Sequence, residues 1–308
     1  LYHTGHQLFN RSKCVQDYWT IIEYYNLAWI KNILIFAVMK KNIIIFVVIV
    51  FILAAILGAW WWQHQQNLSS AVDSSLANVI KKGKLVVGSD IPYGVMEFID
   101  KDGQPAGIDV DIAKEVASRL GVQLEFKDYD WNALFSAVKS GEIDLAISSI
   151  SITPERKNEM LFSAPYFSGG QSIVIKVDNQ IIKTVADLTN KRIGAQKDTT
   201  GYVEAKKYTS ENLITAYEAC EDSDQGQGIV YDLKTDKLDA IMVDYIQALS
   251  IGKNEPILKI LGKPLTQEYY GIVTRIGNDS LLGEVDRVLR DIKREDKVKE
   301  IENRWVKN

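Results

Sequence analysis

Predicted strands and helices alternate from Lys84 onward, and this alternation limits the possible fold more than any other feature of the chain. A buried strand begins at residue 85, and a helix with an apolar face over 110–120 ends at Gly121. A second helix follows Asp130 and ends at Gly141, just before a strand over 143–151. Such alternation is typical of an α/β protein, with a mostly parallel sheet and helices on both faces.

The alternation continues to the end of the chain. Thr184 and Asp187 form a variant of the capping box, which predicts the start of a helix. Apolar runs and breakers predict the remaining strands at residues 171–177, 192–196, 213–217, 240–243 and 270–275, and helices at about 224–235 and 280–307.

Polar residues follow the carboxyl ends of several of these strands. They are Asp90, Ser149, Lys197 and Asp244. In open α/β sheets, ligands bind in the crevice outside the carboxyl ends of the strands. These positions therefore predict a shared ligand site, and not polar residues dispersed over the protein surface.

Residues 144–156, DLAISSISITPER, carry the clearest sign of chemistry. A short buried strand leads to three hydroxyls, those of Ser148, Ser149 and Ser151. Thr153-Pro154 then predicts a helix start, with Arg156 in the first turn. A fixed guanidinium beside free N–H groups and hydroxyls is a receptor for a small carboxylate. The alternative is a surface arginine in an ordinary ion pair.

Composition places the chain among globular proteins and argues against nucleic acid as a partner. Of the 308 residues, 46% are apolar and 25% are charged. Residues 1–72 carry a net charge of +3 and the remainder −7, so the predicted globular part is acidic. The sequence contains no G-x-S-x-G, P-loop or G-x-G-x-x-G signature.

An uncharged stretch of about twenty residues, 43–62, is long enough to cross a bilayer. Lys40 and Lys41 precede it, so the positive-inside rule places the rest of the chain outside the cell. We expect an anchor over residues 39–62 and a polar tether over 63–82. A cleaved signal peptide is the alternative, although Leu57-Gly58-Ala59 is a poor cleavage site. Residues 1–38 are either upstream translated sequence or a cytoplasmic extension.

The cysteines and histidines predict neither a disulfide nor a metal site. Cys14 and Cys220 fall on opposite sides of the predicted membrane and cannot pair. The three histidines, at 3, 6 and 64, lie outside the predicted globular part, and no metal-ligand spacing occurs. No cofactor is expected.

From Lys84 to Asn308 the chain resembles the extracytoplasmic solute-binding proteins of ABC importers, in the branch that binds polar amino acids. The segments that carry the resemblance stand in the order and at the spacing of that family. They are LVVGSDIPYGVMEF at 85–98, GIDVDIAKEVASRLGV at 107–122, YDWNALFSAVKSGEIDLAIS at 129–148, FSAPYFSGG at 162–170, GAQKDTTG at 194–201 and DAIMVD at 239–244.

The resemblance implies a two-lobed α/β fold of the type II periplasmic-binding-protein kind, here with an N-terminal transmembrane helix. Lobe 1 would comprise residues 83–175 and 273–308, and lobe 2 residues 176–272. The strands at 171–177 and 270–275 would cross between the lobes.

The resemblance also implies a role for each end of a free amino acid. Arg156 would bind the α-carboxylate, assisted by backbone N–H groups of Ser151 and Thr200. Asp244 would bind the α-ammonium, assisted by Ser149; taken alone, Asp244 has the simpler explanation of a helix N-cap. Opposite charges on the two lobes would couple closure to binding.

The remaining matched positions bear on the ligand side chain. Tyr93 and Trp131 match aromatics that hold the side chain, although core packing would also explain them. Asp90 matches a position that contacts polar or cationic side chains. The run from Ser148 to Ser151 resembles lysine/arginine/ornithine- and histidine-binding members. Lys197 instead matches a lysine of glutamine-binding members and would repel a basic ligand.

We therefore expect a monomeric, membrane-anchored receptor on the extracytoplasmic face that delivers an amino acid to an ABC permease and catalyses nothing. A basic ligand (arginine, lysine, ornithine or histidine) is favoured, with glutamine as the alternative. The rivals are an enzyme on the same fold, such as a dehydratase, and a sensor domain. An enzyme needs a general acid or base in the cleft, for which Asp90 is the unassigned candidate.

Overall fold

The computed structural model describes residues 31, 50, 52–61, 73–219 and 227–306. The chain divides into two compact units, residues 1–72 and 73–308, and the fold below is that of the second. The predicted anchor lies largely outside the described residues, which show a helix over 52–61. None of the described helices is both long and apolar enough to cross a membrane. Most of the predicted extension 1–38, residues 63–72 and both cysteines also lie outside the described residues.

The elements of the second unit follow the predicted alternation. The strands are β1 Lys84–Ser89, β2 Phe98–Ile99, β3 Pro105–Ala106, β4 Gln123–Asp128, β5 Leu145–Ala146, β6 Leu161–Phe162, β7 Phe167–Gly169, β8 Gln171–Lys176, β9 Ile193–Gln196, β10 Ile214–Tyr217, β11 Ala240–Asp244, β12 Leu258–Leu261, β13 Glu268–Tyr270 and β14 Val273–Thr274. The helices are α1 Ser75–Lys82, α2 Ile108–Leu120, α3 Trp131–Ser140, α4 Pro154–Lys157, α5 Thr200–Ala205, α6 Ile229–Lys234, α7 Tyr245–Asn254, α8 Asp279–Arg294 and α9 Lys297–Val306, with 3₁₀ turns at Val185–Leu188 and Glu211–Leu213.

Two five-stranded sheets organise this unit. The first has the order β4-β1-β5-β14-β6, with β1 parallel to both β4 and β5. The second has the order β10-β9-β11-β8-β12, with β9 parallel to both β10 and β11. In the first sheet β14 runs antiparallel to β5 and β6, and in the second sheet β8 runs antiparallel to β11 and β12. We call each sheet with its covering helices a lobe, the first and the second.

Both sheets are buried on both faces, as the apolar strands predict. In β1, Leu85 and Val87 pack with α2 and α8, whereas Val86 packs with α3 on the opposite face. In β8, Val174 packs with α6 and α7, and its neighbours Ile173 and Ile175 face the other side. Each lobe therefore has a core of its own on either side of its sheet.

Helix ends fall where the sequence predicts them. Gly121 and Gly141 follow α2 and α3 in the left-handed conformation, with φ of 69° and 77°. The predicted capping box forms between Thr184 and Asp187, although the element it starts is a 3₁₀ turn. These outcomes confirm that local signals set the helix boundaries.

The crossings between the lobes differ from the prediction. β8 pairs with β11 and β12 inside the second sheet, and β14 pairs with β5 and β6 inside the first. The chain instead crosses through β7 and β13, which pair with each other and stack Phe167 on Tyr270. The predicted boundary at residue 175 thus cuts through a strand of the second sheet. Crossing strands of three residues are too short for a periodic pattern to reveal them.

The predicted tether is helical over its second half. Ser75–Lys82 form α1, which Gly83 ends in the left-handed conformation. Asp73 accepts a hydrogen bond from the backbone of Ser280, and buried Val79 joins the core under α8. Its polar composition suggested a flexible segment, but one apolar face suffices to dock a short helix.

Candidate functional site

A cleft between the two lobes collects residues from the ends of strands in both sheets. The space between its walls measures about 440 Å³, including the part that opens to solvent. The residues that line it are Asp90, Tyr93, Trp131, Ser148, Ser149, Ser151, Arg156, Gln171, Gln196, Thr199, Thr200, Met242, Val243 and Asp244. Every site residue predicted from the sequence is among them except Lys197.

Lys197 lies outside this wall. Gln196, the last residue of β9, is buried and lines the cleft, and successive side chains of a strand point to opposite sides. The Lys197 ammonium is accordingly half exposed, 3.6 Å from a carboxylate oxygen of Glu218. The structure thus does not support Lys197 as a ligand-binding residue.

Arg156 is fixed by the helix start that carries it. Pro154 opens α4, and the Thr153 hydroxyl caps it by accepting a hydrogen bond from the Arg156 backbone N–H. The guanidinium donates to the Ser151 carbonyl at 3.0 Å and to the Asp198 carbonyl, on the second lobe, at 3.3 Å. It also lies 5.2 Å from the centre of the Trp131 ring.

Charges across the cleft act on Arg156. Burial lowers the pKa of its guanidinium, while Asp244 and Glu268 oppose that shift. Arg156 is therefore a desolvated cation with two acids nearby, unlike the arginine of a surface ion pair. The alternative of an incidental surface ion pair does not fit this environment.

Asp244 ends β11 and stands at the N-cap position of α7, but its side chain makes no capping hydrogen bond. Its carboxylate instead accepts hydrogen bonds from the Tyr93 hydroxyl, at 2.7 Å, and from the Gln171 amide. Burial and the charge of Glu268 raise the pKa of Asp244 to about 7, against the hydrogen bond from Tyr93. The carboxylate is thus held toward the cleft and lacks a cationic hydrogen-bond partner in the described structure.

The serine run rests on two buried acids. The Ser148 hydroxyl donates to Glu97 at 2.7 Å and accepts from the Asp90 backbone N–H at 3.0 Å. The Ser149 backbone N–H donates to Asp109 at 2.7 Å, and Ser149 has a positive φ of 50°. Burial raises the pKa of Glu97 well above its usual range and that of Asp109 to about 7. These acids hold the loop in a shape that exposes Ser149 and Ser151 to the cleft.

Trp131 both packs in the core and lines the cleft, so the two alternatives for it coexist. Its ring joins the buried cluster under α3 and meets Phe135 edge to face, with ring centres 4.8 Å apart. Its indole N–H donates to the Asp198 carbonyl at 3.2 Å, across the cleft. Tyr93 crosses the cleft in the same way through its hydroxyl on Asp244.

Asp90 faces the cleft from the end of β1 and is bound from the second lobe. The Gln196 amide donates to its carboxylate at 3.0 Å and to the Glu218 carbonyl at the same distance. Burial raises the pKa of Asp90 to about 6, opposed by that hydrogen bond and reinforced by Asp128 and Asp130. Asp90 is thus an acid that a cationic ligand group would stabilise in its ionised form.

Sequence reasoning missed several residues of the wall: Gln171, Gln196, Thr199, Met242 and Val243. Gln196 occupies the end of a strand, the same position that identified Asp90 and Asp244. The sequence analysis instead selected Lys197, the residue that follows the end of β9, whereas Gln196 is the residue that lines the cleft. Gln171 begins an antiparallel strand, for which the carboxyl-end rule gives no signal.

Within residues 73–219 and 227–306, no group of three or more His, Cys, Asp and Glu side chains is arranged to hold a metal ion. The opposed charges of Arg156 and Asp244 instead suit a small molecule with an anionic and a cationic end.

The sequence model of the bacterial extracellular solute-binding proteins, family 3, matches residues 85–308. The chain belongs to this family. The L-cystine-binding protein TcyJ of Escherichia coli (strain K12) is 30% identical over 243 residues, which cover 78% of this chain and 89% of TcyJ. The family assignment made from the sequence is confirmed. The chain is a solute-binding protein of the ABC-transporter family that binds amino acids.

Two solved structures show the fold independently. A mutant of ArgBP from T. maritima is 33% identical, with a TM-score of 0.69, and the match covers 76% of this chain and 100% of that one. An ancestral amino acid-binding protein, a precursor of cyclohexadienyl dehydratase, is 32% identical, with a TM-score of 0.68 and the same coverage. The predicted two-lobed periplasmic-binding-protein-like α/β fold is confirmed, whereas the transmembrane helix is not shown.

Proposed function

We propose that this protein is an extracytoplasmic receptor that binds one free basic amino acid between its lobes and delivers it to an ABC permease. The main observation in support of this proposal is that Arg156 of the first lobe and Asp244 of the second lobe line the same cleft. A zwitterion bridges these two charges, and it contacts both when the lobes are together. In this proposal the protein acts as a monomer, anchored to the membrane by residues 43–62, and performs no chemistry on the ligand.

The contacts within the cleft support a role for each ligand group. The α-carboxylate would bind the Arg156 guanidinium and the N–H groups of Ser151 and Thr200. The bridge between Ser151 and Tyr270 leaves the Ser151 N–H unused, because its two bonds run between the flanking residues. The α-ammonium would bind Asp244, with Ser149 assisting.

A basic ligand is favoured over glutamine and over the cystine of TcyJ. Asp90 places a third charged group on the wall, and a carboxylate there is a counter-ion for a cationic side chain. Lys197 is absent from the cleft wall and lies beside Glu218, which weakens the argument that it would repel a basic ligand. Tyr93 and Trp131 supply aromatic walls that suit an aliphatic stem or a cation.

A thermal-shift screen of the protein against the standard amino acids, ornithine and cystine tests this function. A ligand at about 100 times its dissociation constant stabilises the folded state by about 2.7 kcal/mol. We expect arginine, lysine or ornithine to raise the melting temperature most. A screen in which no amino acid raises it would overturn the proposal, and a largest shift with glutamine or cystine would replace the ligand class.

Asp90→Asn should weaken arginine or lysine binding by about 1.5–3 kcal/mol, the usual worth of a hydrogen bond to a charged group. The substitution keeps the size of the side chain and an acceptor for Gln196 but removes the counter-ion. Glutamine binding should change much less, because that side chain carries no charge. Calorimetric titration of both ligands measures the difference.

Lys197→Ala is the matched test on the facing lobe. Because Lys197 lies outside the cleft wall, we expect its removal to leave both affinities nearly unchanged. The basic-ligand assignment would be wrong if Asp90→Asn left arginine and lysine binding intact while Lys197→Ala abolished glutamine binding.

A further inference from the structure

Glu268 lies on the crossing strand β13 and receives hydrogen bonds from both lobes. One of its carboxylate oxygens accepts from the hydroxyls of Ser151, in the first lobe, and Thr200, in the second, the latter at 2.8 Å. The other oxygen accepts from the Thr266 hydroxyl, also at 2.8 Å. The carboxylate is thus fixed behind two residues of the cleft wall without belonging to the wall itself.

Its charge is coupled to both charged ends of the cleft. Ser151 connects Glu268 to Arg156, because the Ser151 carbonyl accepts a hydrogen bond from Arg156 and the Ser151 hydroxyl donates one to Glu268. Gln171 completes a path to the other end, since its amide donates to Thr200 and to Asp244. The negative charge of Glu268 raises the pKa of Asp244 and opposes the lowering of that of Arg156.

The cleft therefore carries more negative than positive charge. Asp90 and Asp244 are the acids of the wall, Glu268 is a third acid directly behind it, and Arg156 is the cation among the described residues of the wall. Lys197 follows the wall residue Gln196 and is paired with Glu218, and Lys139, in the outer groove that Arg156 also lines, is paired with Glu159. A neutral zwitterion leaves this excess unchanged and an acidic amino acid increases it, whereas a ligand with one extra cation reduces it.

We propose that Glu268 is a specificity-determining residue that favours cationic amino acids over neutral and acidic ones without contacting the ligand. It acts through the field it adds beside Arg156, where it opposes each additional negative charge. This inference rests on the proposed amino-acid-binding function and extends it to the charge class of the ligand.

The charge of Glu268 separates this role from a purely structural one. A glutamine at this position keeps the size of the side chain, and its amide oxygen still accepts from the Ser151 and Thr200 hydroxyls. Its amide nitrogen would face Thr266, whose hydroxyl also accepts. Glu268→Gln therefore preserves the hydrogen-bonded frame and removes the field, so a change in selectivity reports the charge alone.

The first measurement compares arginine, glutamine and glutamate binding by competition calorimetry in the wild-type protein, in Glu268→Gln and in Glu159→Gln. Glu268 and Glu159 both line a groove outside the cleft, but Glu159 pairs with Lys139 and not with the cleft wall. We expect the preference for arginine over glutamine to fall about tenfold in Glu268→Gln, which corresponds to about 1.4 kcal/mol of lost interaction, and we expect glutamate to gain affinity. The control should keep the wild-type preference.

Three outcomes would overturn the proposal. Equal weakening of all three ligands would make Glu268 a structural residue. An unchanged preference in Glu268→Gln would exclude a role in specificity, with the amino-acid-binding function intact. Failure of the wild-type protein to bind any amino acid would overturn the proposed function itself and, with it, this assignment.

A second measurement needs no ligand. Carboxyl-carbon NMR of the protein labelled at aspartate follows the titration of Asp244 in the wild type and in Glu268→Gln. Because Glu268 raises the pKa of Asp244, the titration midpoint of Asp244 should fall in Glu268→Gln and should be unchanged in Glu159→Gln. An unshifted midpoint would show that the field of Glu268 does not reach the cleft, and would overturn the proposal.

Discussion

Arg156→Ala should weaken the binding of any amino-acid ligand by at least about tenfold, with the fold retained. The guanidinium lies within the cleft, where a ligand carboxylate would be largely desolvated. Truncating one member of a buried charge pair typically costs about 2–5 kcal/mol, much of it from the partner left unpaired. The variant also removes the cation that lies near both Asp244 and Glu268. The two acids would then repel a ligand carboxylate without Arg156 to oppose them.

Calorimetry of Arg156→Ala beside Lys157→Ala measures this effect. Lys157 is the next residue of the same short helix and is exposed, so it controls for the loss of a cation from α4. Circular dichroism should show an unchanged fold in both variants. An affinity equal to that of the wild-type protein in Arg156→Ala would remove Arg156 from the site.

Asp244→Asn should weaken ligand binding by a similar amount, about 2–5 kcal/mol. The substitution should also remove most of the pH dependence of the ligand affinity near neutrality. Burial raises the pKa of Asp244 to about 7, with a further contribution from Glu268. Only the ionised carboxylate pairs with an ammonium, so binding to the protonated form must release a proton. Affinity should therefore fall as the pH falls below about 7, by up to about tenfold for each pH unit.

The groups that face Asp244 set the sign of this dependence. Tyr93 and Gln171 donate to the carboxylate and favour its charge, whereas burial and Glu268 disfavour it. Asp90, with a pKa raised to about 6, adds a second fall at lower pH that Asp244→Asn should retain.

Titrations in two buffers with different heats of ionisation count the protons released at about pH 6.5. Asp239→Asn is the matched control, because Asp239 precedes β11 at its other end and pairs there with Arg192. A wild-type affinity that stays constant between about pH 6 and pH 8 would contradict the assignment of the ammonium to Asp244.

Local signals in the sequence predicted the elements of the fold because each depends on neighbours along the chain. Gly121 and Gly141 end their helices in the left-handed conformation, and Thr153 with Pro154 starts the helix of Arg156. The crossings of the chain between the sheets depend instead on pairing across the molecule. The sequence therefore predicted strands over residues 171–177 and 270–275 but interpreted both as crossings between the lobes, whereas β8 and β14 pair within the two sheets.

The site was predictable where it followed a general rule. Parallel strands bring their carboxyl ends to one edge, and this rule identified Asp90, Ser149 and Asp244 before any contact was known. At β9 the rule selected Lys197, which follows the strand, whereas the last residue of the strand, Gln196, lines the cleft. Gln171 and Glu268 gave no signal, since their contacts join strands that are distant in the sequence.

Calorimetric titration of the protein with L-arginine and two analogues, each lacking one charged end, tests whether Arg156 and Asp244 bind the two ends of an amino acid. Agmatine has no carboxylate, and 5-guanidinopentanoic acid has no α-amino group. We expect one molecule of L-arginine to bind per chain and each analogue to bind at least about tenfold more weakly, because Arg156 or Asp244 then remains unpaired in the cleft. If agmatine and the acid bound as tightly as L-arginine, Arg156 and Asp244 would not be the groups that bind the two ends of the ligand.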